Sequence, residues 1–248
     1  MLQNVDQFYG VKLGAADGDI GHVKDFYFDD NTWAVRYLVA DTGSWLSGRQ
    51  VLLPPRAFES PAFGGVNVDV NMLHVNLTRK QIEDSPSIDS HRPVSRQYEE
   101  EYYRYYGWPA YWQDGGMYGA GTGFPVVTPP LTAENQPHHG HNQRDDIHLR
   151  SMKELVGYNL QATDGPIGSV CSFMVHSESW AIRELVIETG HWYEGKKILL
   201  LTKNIDRISY EASTIFVNLT LEDIEQTVNN GVAHAGAGSV KPGAAQTA

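Results

Sequence analysis

The chain repeats the stretch Leu13-Gly-Ala-Ala-Asp-Gly-Asp-Ile-Gly-His-Val23 after 147 residues, as Leu160-Gln-Ala-Thr-Asp-Gly-Pro-Ile-Gly-Ser-Val170. The match continues without a gap, so that Trp33-Ala-Val-Arg-Tyr-Leu-Val39 corresponds to Trp180-Ala-Ile-Arg-Glu-Leu-Val186. An internal repeat indicates that one structural unit occurs twice. We therefore predict two copies of one small domain.

The end of each copy marks the borders of the predicted domains. Val75-Asn-Leu-Thr78 corresponds to Val217-Asn-Leu-Thr220 with an offset of 142, so the second copy has lost five residues before this point. A stretch of different composition, rich in aromatic residues, separates the copies. The predicted divisions are a first repeat at 1–85, a partly disordered linker with one helix at 86–150, a second repeat at 151–228 and a disordered tail at 229–248.

Apolar runs with turn residues between them predict the secondary structure of each copy. The runs are short and rich in β-branched and aromatic residues, which favours strands. Five or six strands in about 80 residues suggest a closed or nearly closed barrel, an arrangement that removes exposed sheet edges. Thr78 and Thr220 are candidate N-caps of a short C-terminal helix. The predicted fold class is therefore mainly β, and the predicted strands are 33–40, 48–53, 66–70 and 72–77 with their counterparts 180–187, 195–201 and 214–219.

Positions kept in both copies have structural interpretations. Asp-Gly pairs favour turns between strands, and glycine inside a strand marks a bulge or a close backbone approach. An arginine within an apolar strand needs a partner, either a carboxylate or carbonyls of the same barrel, or else an anionic ligand; the retained aspartates are the first candidates. The retained structural positions are Asp17, Gly18, Gly21, Trp33, Arg36 and Trp45, and Asp164, Gly165, Gly168, Trp180, Arg183 and Trp192.

The linker holds the candidate interaction surface. Residues 95–106 are predicted to form a helix that Ser95 caps and Gly107 ends. Aromatic residues share one face of this helix and continue beyond it. They either pack on the barrels, dock a partner or a second subunit, or stack on nucleic-acid bases. The residues are Tyr98, Tyr102, Tyr105, Trp108, Tyr111 and Trp112.

Composition narrows the function classes. The formal net charge is −11, and each repeat and the linker carry an acidic excess. Because no segment is basic, the sequence does not predict DNA binding, and its acidity argues against direct RNA contact. A single cysteine, Cys171, precludes a disulfide within the chain. No signal peptide or membrane-spanning run is recognised. We expect a soluble, cytoplasmic protein.

Candidate chemistry in the sequence is sparse. His138, His139 and His141 form the one metal-like cluster, but it lies in a segment of polar composition that predicts mobility, whereas a functional site needs fixed ligands. The glycines of 115–123 lack the Gly-Lys-Ser/Thr sequence of a phosphate loop. We predict no catalytic residue, no cofactor and no metal.

The repeat resembles a known domain family. The pattern Lys12-Leu-Gly-x-x-Asp-Gly-x-Ile-Gly-x-Val-x-Asp-Phe26, followed by Trp33-Ala-Val-Arg-Tyr-Leu-Val39, Asp41-Thr-Gly-x-Trp45 and Gly48-Arg-x-Val-Leu-Leu53, is similar to the PRC-barrel domain. The family includes the cytoplasmic domain of the photosynthetic reaction centre H subunit and a domain of a ribosome maturation factor. The resemblance covers both repeats, and the linker stretch 93–109 is similar to that of bacterial tandem members.

The resemblance implies a six-stranded barrel that serves protein interaction and assembly, not catalysis. The expected partner is another protein or a second copy of the chain; the alternatives are a ribosome- or RNA-processing-associated factor and an accessory of photosynthetic electron transfer. The copies differ at positions that we expect on the surface, where function is then expected as well. These positions are Tyr37 and Glu184, His22 and Ser169, and Asp25 and Ser172.

Overall fold

The fold consists mainly of β-strands, as predicted. The computed structural model describes residues 1–46, 49–58, 72–86, 96–108, 148–190 and 195–229. The strands up to the linker are β1 (Leu2–Asn4), β2 (Lys12–Ala15), β3 (Gly18–Asp29), β4 (Ala34–Asp41), β5 (Gln50–Leu53) and β6 (Met72–His74). The later strands are β7 (Leu149–Ser151), β8 (Asn159–Gln161), β9 (Pro166–His176), β10 (Ile182–Thr189), β11 (Lys197–Leu201), β12 (Ile205–Ser209) and β13 (Thr214–Val217).

Helices occur where the sequence provides caps. The α-helices of the described residues are α1 (Arg79–Glu83), α2 (Arg96–Tyr106), α3 (Met152–Leu155) and α4 (Leu221–Asn229). Thr78 caps α1 in a capping box with Gln81, and Thr220 accepts the Asp223 amide at 3.1 Å at the start of α4. These contacts satisfy amides that have no partner within the helix, which confirms both predicted caps. The predicted linker helix is also confirmed, as α2.

Both copies use the same strand pairings. The first sheet has the order β5-β4-β3-β2-β6, and the second has β11-β10-β9-β8-β13-β12. Leu38 lies opposite Leu53 in the first, and Leu185 opposite Leu200, 147 residues further on, in the second. The parallel pairing of β2 with β6 has its counterpart in the parallel pairing of β8 with β13. Because the register is identical, equivalent positions of the two copies lie on the same faces of the two sheets.

Of the predicted closed or nearly closed barrels, full closure is wrong for the described residues. The second sheet ends at β11 and β12, and only the 3₁₀ turn Thr202–Asn204 connects these two strands. The turn uses the Ile205 amide for its own hydrogen bond to Thr202, so no ladder joins the two ends. The first sheet ends at β5 and β6, and the predicted strand at 66–70 lies outside the described residues.

Two compact units divide the chain in space. Unit 1 comprises Met1–Leu155 and Phe173–Arg183, and unit 2 comprises Val156–Ser172 and Glu184–Ala248. Unit 1 therefore includes a hairpin tip from the second sequence copy, where β9 turns into β10. The domain bounds deduced from the sequence stay predictions.

The sequence had suggested that the retained tryptophans begin the central strands, but they do not. Trp33 and Trp180 precede β4 and β10 and have φ values of 54° and 56°. Bulky residues rarely adopt this left-handed conformation, and hydrogen bonds hold it here: the Trp33 amide donates to Asp29 and the Trp180 amide to His176. Both strands then begin one or two residues later.

Candidate functional site

The linker helix α2 packs on one face of the first sheet. Its residues Tyr102 and Tyr103 are buried against Tyr37, Val39 and Leu52 of β4 and β5. Tyr102 is 0% exposed, and its hydroxyl donates to the Leu52 carbonyl oxygen. A buried tyrosine with a satisfied hydroxyl fixes the position of the helix. The sequence left open whether the linker aromatics pack on the repeats, dock a partner or stack on bases. Tyr102 packs on the first sheet.

A buried polar pair connects the helix to the sheet. The Tyr37 hydroxyl donates to Glu99 Oε1 at 2.8 Å, and both side chains are 0% exposed. Burial, together with the neighbouring Tyr103 and Glu99, raises the pKa of Tyr37 well above its ordinary value. Burial and Glu99 raise the pKa of Tyr103 to about 12. Both phenols therefore stay protonated at neutral pH, and the Tyr37 hydroxyl donates to the Glu99 carboxyl group, whose burial would otherwise be costly.

Two of the three pairs of positions expected on the surface are thus buried. Tyr37 is 0% exposed, and its counterpart Glu184 is 7% exposed. Asp25 and Ser172 are buried as well, whereas His22 is exposed, as expected. For Tyr37 the expectation failed because the helix α2 packs on the face of the sheet where this side chain lies. Asp25 is instead covered by the segment of Ser151 and Lys153.

The far end of α2 carries an aromatic rim, which we define as Tyr105, Tyr106 and Trp108. Tyr105 is 40% exposed, and the rings of Tyr106 and Trp108 stack at 4.6 Å between centroids and 14° between planes. The hydroxyls of Tyr105 and Tyr106 donate to the Gln81 carbonyl oxygen at 3.1 and 3.3 Å. The Gln81 carbonyl group near the end of α1 thus holds the rim in place. It is a fixed, partly exposed aromatic surface.

The structure places the other predicted surface residues only in part. The backbone of Tyr98 belongs to α2, but its side chain lies outside the described residues, as do Tyr111 and Trp112. The cluster of His138, His139 and His141 also lies outside them. Within the ranges that the structure describes, no three His, Cys, Asp or Glu side chains are arranged to hold a metal ion.

The retained aspartates accept hydrogen bonds from the first amides of helices and do not pair with the retained arginines. Asp17 accepts the Arg79 amide at 2.7 Å at the start of α1, and Asp164 accepts the Leu221 amide at 2.9 Å at the start of α4. A carboxylate at a helix N-terminus is favoured by the exposed amides and the helix dipole. The expectation that these aspartates pair with the arginines was wrong for Asp17, because Arg36 pairs with Asp29 at 3.2 Å.

A β-bulge explains the different partner of Arg36. Tyr27 lies opposite Tyr37, but the next residue of β3, Phe28, lies opposite Val35, so Arg36 is the extra residue of the bulge. A bulge interrupts the strict alternation of side chains, on which the sequence-based placement of Arg36 depended. Burial would raise the pKa of Asp29, but the Thr32 amide and Arg36 outweigh it and lower that pKa. The pair is therefore charged at neutral pH.

The remaining retained positions support the same turns. The Arg79 guanidinium lies 4.6 Å from the centre of the Trp45 ring, a favourable cation–π distance. Gly18 faces the Arg79 side chain and Gly165 faces Leu221, each with little space for a Cβ atom. Arg183 is exposed, and Trp192 lies outside the described residues.

Asp25 anchors the segment that leads into the second copy. It accepts the Phe26 amide at 2.7 Å, the Lys153 amide at 3.3 Å and the Ser151 hydroxyl. Ser151 in turn accepts the Glu154 amide at 3.1 Å. The two side chains together cap α3. Burial is the largest influence on Asp25 and raises its pKa, although these hydrogen bonds oppose it.

Asp25 should make the protein less stable as the pH rises. Its raised pKa means that the folded state binds the proton more tightly than the unfolded chain, whose aspartate pKa is about 3.9. The stabilising contribution is thus complete below about pH 3.9 and is lost as the pH rises through the folded-state pKa. Urea unfolding from pH 3.5 to 7 should show the stability of the native protein falling relative to Asp25→Asn. A constant difference across this range would contradict the prediction.

Comparison with known families gives a match in the first copy. It begins at the β2 residue Leu13 and ends at the buried α1 residue Ile82. Residues 13–82 match the PRC-barrel domain family. The PRC-barrel segment thus contains β2 to β6 and α1, with Tyr37 and Leu52 among the residues that α2 covers. No curated protein matches the chain. In the part of the chain that the structure describes, no helix is both long and apolar enough to span a bilayer.

Proposed function

We propose that the chain is a non-enzymatic protein-interaction module built from two PRC-type domains. The observation that carries this proposal is the aromatic rim of Tyr105, Tyr106 and Trp108, which is held on the PRC-barrel segment by the helix α2, one face of which is buried. The register shared by the two sheets supports the assignment of the second copy to the same type. Aromatic residues on a rigid support are the kind of anchor that concentrates binding energy at protein interfaces.

The rim is suited to a protein partner for two reasons. Its helix is already ordered by Tyr102 and Glu99, so binding does not have to bear the entropy cost of forming it. Its neighbours Glu100 and Glu101 are exposed acids, which disfavours a nucleic-acid partner. A partner with an apolar contact surface and basic flanks fits this chemistry.

The double variant Tyr105→Ala/Trp108→Ala tests the proposal. Tyr102 must be left intact, because its ring is part of the core. We expect affinity capture from the native cell to recover the partner with the unchanged protein and at least tenfold less of it with the variant, by quantitative mass spectrometry. Thermal unfolding should show that the variant remains folded.

A matched control distinguishes the rim from any aromatic contact. Tyr158 and Tyr210 of unit 2 also form an aromatic pair, with ring centres 6.4 Å apart. Tyr158→Ala/Tyr210→Ala should leave capture unchanged. Equal capture by the native protein and the rim variant, or equal loss in both double variants, would refute the role of the rim.

A further inference from the structure

Unit 1 contains two strand pairings that are copies of each other. β1 pairs with the end of β9, so that Leu2 lies opposite His176. β7 pairs with the end of β3, so that Leu149 lies opposite Asp29. Leu149 and His176 each lie 147 residues after Leu2 and Asp29, which is the offset of the sequence repeat. The leading strand of each copy is therefore added to the long strand of the other.

A bridge at the centre has the same symmetry. Ala34 and Ala181, which are equivalent in the repeat, lie opposite each other as an isolated antiparallel bridge. The Val35 amide donates to the Trp180 carbonyl at 2.9 Å, and the Ile182 amide donates to the Trp33 carbonyl at 2.7 Å. Exchanging the two copies converts one bond into the other. This reciprocity is the property of an isologous, two-fold contact.

Further contacts surround the bridge. The Asp30 amide donates to the His148 carbonyl at 3.0 Å, and the equivalent Ser177 amide donates to Met1 at 2.8 Å. Asp30 also accepts from His148 Nδ1 at 2.9 Å. Aromatic rings fill the space beside the strands, with Phe28 near Phe173 and Phe58 near Trp180. Each of these contacts joins a residue before position 109 to one after position 147.

We propose that these residues form a self-complementary pairing surface that the equivalent repeat of a second copy of this chain can occupy in place of the chain's own other repeat. The surface is distinct from the aromatic rim. Its hydrogen bonds are mainly between backbone groups, as in binding by strand addition, and each half presents the same set. All the contacts described above join residues outside 109–147, and we expect them to hold the two parts together when the chain is cut within that range.

Cleavage of the full-length folded chain tests this proposal. A sequence-specific protease site is inserted between Gly116 and Met117, and the protein is cut after folding. We expect the two fragments to elute together from a native sizing column at the position of the uncut chain. When a cut chain with an affinity tag on its first fragment is incubated with an untagged cut chain, the tag should also recover untagged first or second fragments. Fragments that separate, or complexes that never exchange, would overturn the proposal.

A disulfide across the centre provides an independent measurement. The Cα atoms of an antiparallel bridge lie about 4.5–5.5 Å apart, which is within the range of disulfides. In a Cys171→Ser background, Ala34→Cys/Ala181→Cys should oxidise readily, so that the fragments of the cut chain migrate together without reductant. The single variants Ala34→Cys and Ala181→Cys are the controls for random oxidation. Free thiols in the oxidised double variant would count against the pairing, whether or not the fragments co-elute.

Discussion

Replacing Gly21 or Gly168 with alanine should lower the free energy of unfolding by roughly 3–5 kcal/mol. A Cβ atom at Gly21 would lie 2.0 Å from the Asp41 carbonyl oxygen, and one at Gly168 would lie 2.0 Å from that of Glu188. Both oxygens belong to the backbone of paired strands, so the obstacle cannot move without breaking a ladder. The glycines also have φ values of +128° and +158°, which are unfavourable for alanine. Urea unfolding of each variant measures the loss.

Gly43→Ala separates the clash from the backbone conformation. Gly43 has a φ of +55°, but a Cβ atom there would have no neighbour within 4 Å. Its replacement should therefore cost only the left-handed penalty of about 1–2 kcal/mol. If Gly21→Ala destabilises no more than Gly43→Ala, the close approach of β3 to the end of β4 is not the cause.

Tyr102→Ala should destabilise unit 1 by about 3–5 kcal/mol, the usual cost of removing a buried aromatic side chain. The change opens a cavity between α2 and β5 and leaves the Leu52 carbonyl without its phenol donor. It also weakens the contact that holds Glu99 near Tyr37. Hydrogen exchange should show that the amides of α2 lose protection before those of β4, because the helix can detach while the sheet remains paired.

Two milder changes serve as controls for Tyr102→Ala. Tyr102→Phe keeps the ring and should cost about 1–2 kcal/mol for the lost hydrogen bond. Tyr105→Ala removes a neighbouring ring that is 40% exposed, and it should leave the protection of α2 nearly unchanged. Similar exchange in Tyr102→Ala and Tyr105→Ala would mean that α2 is not held by the buried ring.

Strand and helix positions were predictable because local rules determine them. Apolar runs located β4, β10 and the other long strands, and Thr78 and Thr220 marked the helix starts. The close approach at Gly21 and Gly168 followed from glycine within a strand pattern. These features depend on neighbours in sequence or in the adjacent strand, so a single chain contains the information.

The burial of Tyr37 and the role of α2 were not predicted, although a signal was present. The run Val35 to Ala40 is apolar at almost every position, which is typical of a strand that is covered on both faces. A small barrel covers only one face, so the run required a second cover, and the amphipathic helix beside it was the candidate. What the sequence could not supply was the specific pairing of Tyr37 with Glu99.

The strands β1 and β7, each of which pairs with the long strand of the other copy, were missed for a different reason. Each has three residues, too few for an alternating pattern, and Leu2-Gln-Asn4 shares only its leucine with Leu149-Arg-Ser151. Their pairing joins segments that are far apart in sequence. Such contacts are determined by the folded structure of both copies together, which no local pattern encodes.

The late pairing of β7 also has a consequence for synthesis on the ribosome. The edge of β3 at Tyr27–Asp29 is completed by Leu149–Ser151, about 120 residues later in the chain. At about 5–20 residues per second, this edge stays open for about 6–24 s while translation proceeds. Asp30, next to the end of β3, places negative charge at this edge, and charged residues discourage nascent chains from pairing edge to edge. We therefore expect the Asp30 carboxylate, which binds His148 once that residue is made, to protect the edge of the unfinished protein.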